Sequence, residues 1–189
     1  MEKQEQTSKP VRLLEGERVY LRPYNLDDID RYYQMLFQPE MRRLTGTQTT
    51  WTREQIIRYL EEKMEDRSSV LLLIALREND CVIGDIALQD IDRNNRSANI
   101  RIAIDQAEQQ GKGYGTEALK LMLDYGFGIL NLHRVELNVF AYNERALRVY
   151  EKLGFKKEGV QRDALYYHHR YHDSIWMSIL EDEYRQLHT

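Results

Sequence analysis

A single cysteine, Cys81, stands in the whole chain. No internal disulfide is possible, and a reducing cytoplasm is the simplest home. No helix start and no His-Asp pattern accompany Cys81, so nothing marks it as a nucleophile. Long apolar runs are missing too. None approaches the roughly 20 residues a membrane helix needs, which excludes partnership with a membrane. Residues 1–10 are polar and lack the apolar core of a signal peptide; they read as a flexible N-terminal tail. Positive charge is not in excess: 27 Lys and Arg face 31 Asp and Glu, a formal net charge of −4. That leaves no electrostatic footprint for nucleic acid and mildly favours cationic substrates such as amines. Internal repeats and low-complexity linkers are also absent, so residues 11–189 read as one domain.

What is present is enough for a packed core. The chain has 189 residues, 42% of them apolar and 31% charged, the balance of a globular protein rather than a disordered one. Residues 18–22 alternate as a first strand, stopped by Pro23. Leu26, Ile29, Tyr32, Tyr33, Leu36 and Phe37 recur at helical spacing behind Asp27 and Asp28. Thr52 is a fair N-cap for a second helix. Strands are predicted over 70–76 and 82–88, joined by an Asn79-Asp80 turn, and over 98–105. A long helix over 116–130 follows, then a strand over 134–140 and a helix over 143–153 that Gly154 ends. Residues 155–167 and 171–180 form a last strand pair. Strands outnumber helices and the strand–helix alternation comes late, which predicts a mixed α/β (α+β) sheet with helices on its faces.

Gln110-Gly111-Lys112-Gly113-Tyr114-Gly115 sits between the apolar strand ending at Ile104 and the long helix beginning at Thr116. A glycine-rich turn opening a helix is a site for phosphate. Glycine lets the backbone come close, and the N–H groups of the first turn draw negative charge. Asn143 and Tyr150 lie seven residues apart, two helical turns, and so share a face. Asn143 begins its helix and reads as an N-cap. A phenol such as Tyr150 stays protonated at neutral pH and can donate.

Gln110-x-x-Gly113-x-Gly115 resembles the acyl-CoA pyrophosphate loop of the GNAT superfamily of N-acyltransferases. The stretch Asn143-x-x-Ala146-x-x-x-Tyr150-x-x-x-Gly154-Phe155 is similar to that superfamily's later motif. Leu21-Arg22-Pro23 with Asp28, and Tyr171-His172-Asp173, are similar to its RimJ/RimL-type branch. The resemblance covers about residues 17–183 and implies one acyl-CoA N-acyltransferase domain over 11–189. It further implies a mostly antiparallel sheet of about seven strands, splayed at a bulge in 98–105, with helices on both faces.

The implied reaction moves an acetyl group from acetyl-CoA, a co-substrate, to a primary amine by direct attack in a ternary complex. Backbone N–H groups from Gly111 to Thr116, through Lys112, Gly113, Tyr114 and Gly115, would hold the pyrophosphate; the Lys112 side chain would either add charge or point to solvent. Asn143 would contact the pantetheine or order the acid, besides capping its helix. Tyr150 would return a proton to the thiolate. The N–H of Ala103 or Ile104 would hold the oxyanion. Many relatives carry an acid where this chain has Asn99; asparagine takes no proton but orients water. Asp85 is the substitute base, or water carries the proton. The acceptor is a protein N-terminal amine or a small-molecule amine, with polyamines and antibiotics as alternatives and a non-catalytic acyl-CoA sensor as the other class. Asp173 is a secondary candidate for gripping the amine. His168 and His172 at i,i+4 spacing would suit zinc on a helix, but the surroundings read as a strand turn, so no metal is expected. A homodimer through a sheet edge or the last hairpin is compatible with this reading.

Overall fold

The computed structural model describes residues 11–105 and 107–188. The tail assigned to residues 1–10 lies outside them. Strands β1 (Leu14–Glu15), β2 (Val19–Arg22), β3 (Val70–Leu76), β4 (Val82–Asp92), β5 (Ser97–Ile104), β6 (Arg134–Phe140), β7 (Lys156–Tyr167) and β8 (Arg170–Leu180) form one sheet. Its order is β1-β2-β3-β4-β5-β6-β8-β7. All neighbours run antiparallel except β5 and β6. The helices are α1 (Ile29–Met35), α2 (Pro39–Thr45), α3 (Arg53–Glu65), α4 (Tyr114–Gly128), α5 (Glu144–Leu153) and α6 (Glu181–His188). The sheet is therefore the expected mixed α/β type, with β1 as an eighth strand.

Helices cover both faces, and β3 shows why. Its Leu72, Ile74 and Leu76 pack in one core with Ala118, Leu119 and Met122 of α4. Its Leu71, Leu73 and Ala75 pack in another with Tyr32 of α1 and Ile56 and Leu60 of α3. A strand buried on both sides reads as a continuous apolar run rather than an alternating one. Two ion pairs fix the first helix. Arg22 grips both oxygens of buried Asp28 at 2.8 and 2.6 Å, and Arg31 meets buried Asp105 at 2.6 Å. The Arg22 and Asp28 of the opening motif thus clasp β2 to the entry of α1.

The feature that positions the site is a gap. Parallel β5 and β6 pair only through Ser97–Arg134, Ala98–Val135 and Asn99–Glu136. Beyond these pairs the two strands part, leaving the far half of β5 bonded to β4 alone. The bulge expected within 98–105 is not there. Pairing of β4 with β5 is regular from Gly84–Ile104 to Gln89–Asn99, and the irregularity falls between Gln89 and Asp92, where Asp90 has φ 52°. The splay comes from the loss of pairing to β6 instead. Gly84 lets the other side close tightly: a Cβ there would lie 2.1 Å from the Ala103 carbonyl oxygen.

Among the described residues, no helix is long and apolar enough to cross a membrane.

Candidate active site

The gap between β5 and β6 opens into a cavity of about 970 Å³. Residues 99–104 of β5 and 138–140 of β6 form its walls, the loop before α4 its upper rim, and α5 one side. Tyr32, Leu36, Met41, Trp51 and Tyr59, from α1 to α3 and the loop between, close the opposite side. One sheet face thus presents β5 to a phosphate-type loop, and the other presents it to an aromatic chamber.

Most residues read from the sequence meet here. Asp85, Asn99, Ala103, Ile104, Gln110, Gly111, Gly113, Tyr114, Gly115, Thr116, Asn143 and Tyr150 all line the cavity. Lys112 does not. Its side chain is exposed, with Nζ 3.4 Å from Gln109 Oε1, while its carbonyl accepts from Arg18 Nη1 at 2.8 Å. The solvent-facing alternative for Lys112 is the one compatible with that placement.

Local chemistry explains the rim. Gly113 caps α4 in the left-handed region at φ 86°, where L side chains are strained, and no side chain caps the helix. The N–H groups of the first turn therefore lack a side-chain cap, and Gly113, Tyr114, Gly115 and Thr116 line the cavity. Gly115 is less demanding: a Cβ there would meet Ile102 and Ile104 at 3.8 Å, an ordinary contact. Gln110 donates to the Ile104 carbonyl at 3.0 Å and accepts from Arg145 Nη2 at 2.6 Å. It ties the loop to β5 and to α5 at once.

The backbone of β5 decides which N–H groups face the gap. Asp105 N–H donates to the Ile83 carbonyl at 3.1 Å. Alternation along a strand puts the Ala103 N–H on that same β4 side and the N–H groups of Ile102 and Ile104 on the other. Of the two expected oxyanion donors, Ala103 is turned away and Ile104 faces the cavity.

Asn143 caps α5 by accepting from Ala146 N–H at 3.2 Å and also borders the cavity. Both of its readings are compatible with that placement. Tyr150 lies on the same helix face, 8% exposed. Burial pushes its hydroxyl up to about 12. Asp85 is 3% exposed, not a surface strand residue; its Oδ2 takes Arg101 Nη2 at 2.7 Å and the Tyr32 hydroxyl at 3.3 Å. Asp173 does not border the cavity; its Oδ1 accepts from Asp163 N–H across the last hairpin. His168 and His169 form the turn of that hairpin, both at positive φ, and no helix carries His168 and His172. No group of three His, Cys, Asp or Glu side chains able to hold a metal occurs among the described residues.

The charge of the cavity was not anticipated. Among the described residues its lining has four cationic side chains, Arg101, Arg145, Arg148 and Lys152, and one acid, Asp85. The site is basic within a chain of net charge −4. Three of those cations sit at i, i+3 and i+7 on α5, a spacing that puts them on one helix face and could have been read from the sequence. A basic wall beside a capless helix start fits a polyanionic ligand with several phosphates.

The sequence profile of the acetyltransferase (GNAT) domain matches residues 18–156. The chain belongs to the GNAT acetyltransferase family. It is similar to the uncharacterized N-acetyltransferase p20 of Bacillus licheniformis, 31% identical over 172 residues, which are 89% of this chain and 96% of that one. It is similar to spermidine N(1)-acetyltransferase of Escherichia coli, 40% identical over 101 residues, about half of each chain (53% and 54%). In structure it resembles spermidine N-acetyltransferase from Vibrio cholerae in complex with CoA and spermine. The TM-score is 0.83 at 26% identity, covering 88% of this chain and 98% of that one. This GNAT protein is therefore an N-acetyltransferase with acetyl-CoA as co-substrate, and the basic, glycine-rimmed cavity fits that ligand.

Proposed function

We propose that the protein acetylates the primary amine of a small molecule by direct attack within a ternary complex. The observation that carries this reading is the cavity between β5 and β6. It joins a phosphate-type rim, Tyr150 and an aromatic chamber in one continuous space.

Acetyl-CoA, when bound, supplies the acetyl thioester. The N–H groups from Gly111 to Thr116 hold its pyrophosphate, with Arg145, Arg148 and Lys152 supplying charge from α5. Asn143 borders the pantetheine path. The Ile104 N–H, on the gap side of β5, would hold the oxyanion. Tyr150 keeps its proton at neutral pH and delivers it to the departing sulfur. Asp85 is held by Arg101 and Tyr32, so in this account Asn99 orients water and water carries the amine's proton away. Among the described residues no activated nucleophile faces the cavity, which supports direct attack over a covalent acyl-enzyme.

A polyamine acceptor is the second reading, favoured by the likeness to the spermidine enzymes. The RimJ/RimL-like ends favour a protein amino terminus, but Arg22 and Asp28 already have a structural task in their ion pair, which weakens that support. Free-thiol release from acetyl-CoA across polyamines, aminoglycosides, amino acid derivatives and short peptides tests the proposal. Turnover on a small amine supports it. Acetyl-CoA binding with no turnover on any amine would leave a sensor.

A further inference from the structure

Among the described residues, Arg101 is the one cation lining the acceptor side of the cavity, and the reaction described above uses it only to hold Asp85. It lies on β5 opposite Ala87, two residues from Ala103 and on the same strand face. Its Nη2 meets Asp85 Oδ2 at 2.7 Å and lies 3.5 Å from the Tyr32 hydroxyl. Its Nε and Nη1 make no hydrogen bond among the described residues, although a guanidinium presents five donors. The side chain is 33% exposed while its Asp85 partner is 5% exposed. The acid is thus covered and the guanidinium faces the space between Tyr32, Trp51 and Tyr59.

We infer that Arg101 selects acceptors carrying a carbonyl or carboxylate oxygen beside the reacting amine, as in an amino acid, its amide or a short peptide. Three points lead there. A buried ion pair adds little to stability compared with apolar packing, so its place in a binding wall asks for another reason. Donors left over in a low-dielectric cleft call for an acceptor oxygen, and the planar fork of arginine suits one. A bare polyamine offers no such oxygen. It would bring further ammonium groups to a chamber whose only lining carboxylate is already engaged. Burial pulls the Arg101 guanidinium down, but Asp85, Tyr32 and Tyr59 together outweigh it and the net shift is upward, so Arg101 stays charged throughout the working range.

This inference rests on the small-amine acetyltransferase reading, and its test separates the two. Acceptors are paired by shape: phenylalaninamide against phenethylamine, leucinamide against isopentylamine, with spermidine alongside. The wild type is expected to favour the carbonyl-bearing member by about tenfold or more in kcat/KM, mainly through the acceptor KM. Arg101→Met should bring that ratio close to one. Because Arg101→Met strands Asp85, the pair Asp85→Asn with Arg101→Met is assayed too, with circular dichroism confirming folding. Turnover without discrimination in the wild type, or discrimination kept in a folded variant, overturns the role of Arg101 and leaves the enzyme reading intact. No turnover on any acceptor overturns both. Binding of the N-acetylated amides to the CoA-loaded protein gives a second readout, which should weaken in the variants and not for the plain N-acetylamines.

Discussion

The Arg145 guanidinium and the Gln110 side-chain amide meet at 2.6 Å, Nη2 donating to Oε1. The same amide reaches back through Nε2 to the Ile104 carbonyl at 3.0 Å. One side chain therefore spans the place where the sheet comes apart. It ties the glycine-rich rim to both walls of the cavity that Gly113, Ile104 and Tyr150 line.

Loss of that tie should be felt in cofactor binding. Arg145→Ala removes a charge and the brace on Gln110. The acetyl-CoA dissociation constant is expected to rise by about fivefold to tenfold, the effect of roughly 1 kcal/mol. Isothermal titration in low and high salt checks it. The gap between variant and wild type should narrow as salt screens the phosphates.

The pH profile follows from Tyr150. An acid whose proton is held by burial to about 12 remains a donor at any pH where amines are free. With saturating acceptor, kcat should stay level between about pH 8 and about pH 10. A steep alkaline fall in that range, without unfolding, would assign the proton to another group.

Glu117 offers a stability test. Burial raises its pKa, but the N–H groups of Arg18 and Val19 and the Arg18 guanidinium outweigh that and hold it below its usual 4.5. A folded pKa below the unfolded one contributes stability that is present above 4.5 and lost as pH falls through the folded value. Glu117→Gln should therefore melt below the wild type at neutral pH, by about 2–4 °C for each kcal/mol lost. The gap should close in acid. A gap that persists unchanged in acid would trace the loss to packing instead.

Gly84→Ala tests the tight side of β5. A Cβ would press on the Ala103 carbonyl from 2.1 Å, so β4 and β5 must shift. Destabilisation of about 1–3 kcal/mol is expected in urea unfolding, together with impaired acetyl transfer, because Ala103 and Ile104 move with the strand.

Much of this fold was legible because the local signals agreed with one another. Thr52 both accepts from Gln55 N–H and donates its own N–H to the Gln55 side chain, so the helix start read at Thr52 is a capping box. The apolar run 70–76 and the alternation over 134–140 appear as β3 and β6 with those bounds. Helix α2 was missed because it is seven residues long and buries only Met41, too little for a periodic pattern. The site divides in the same way. Glycine spacing and the Asn143–Tyr150 face are local and could be read. The Arg101–Asp85 pairing joins two strands, and the Lys112 carbonyl is held by Arg18, 94 positions away. Contacts of that kind leave no spacing in the sequence.

The most direct test of the account compares wild type with Tyr150→Phe in two assays on the same preparations: free-thiol release with the best amine, and acetyl-CoA binding by titration. With Tyr150 as the acid, kcat is expected to fall by about 10²–10⁴-fold while the acetyl-CoA dissociation constant stays within a factor of about two. Unchanged turnover, or a loss explained wholly by weaker acetyl-CoA binding, would contradict that role.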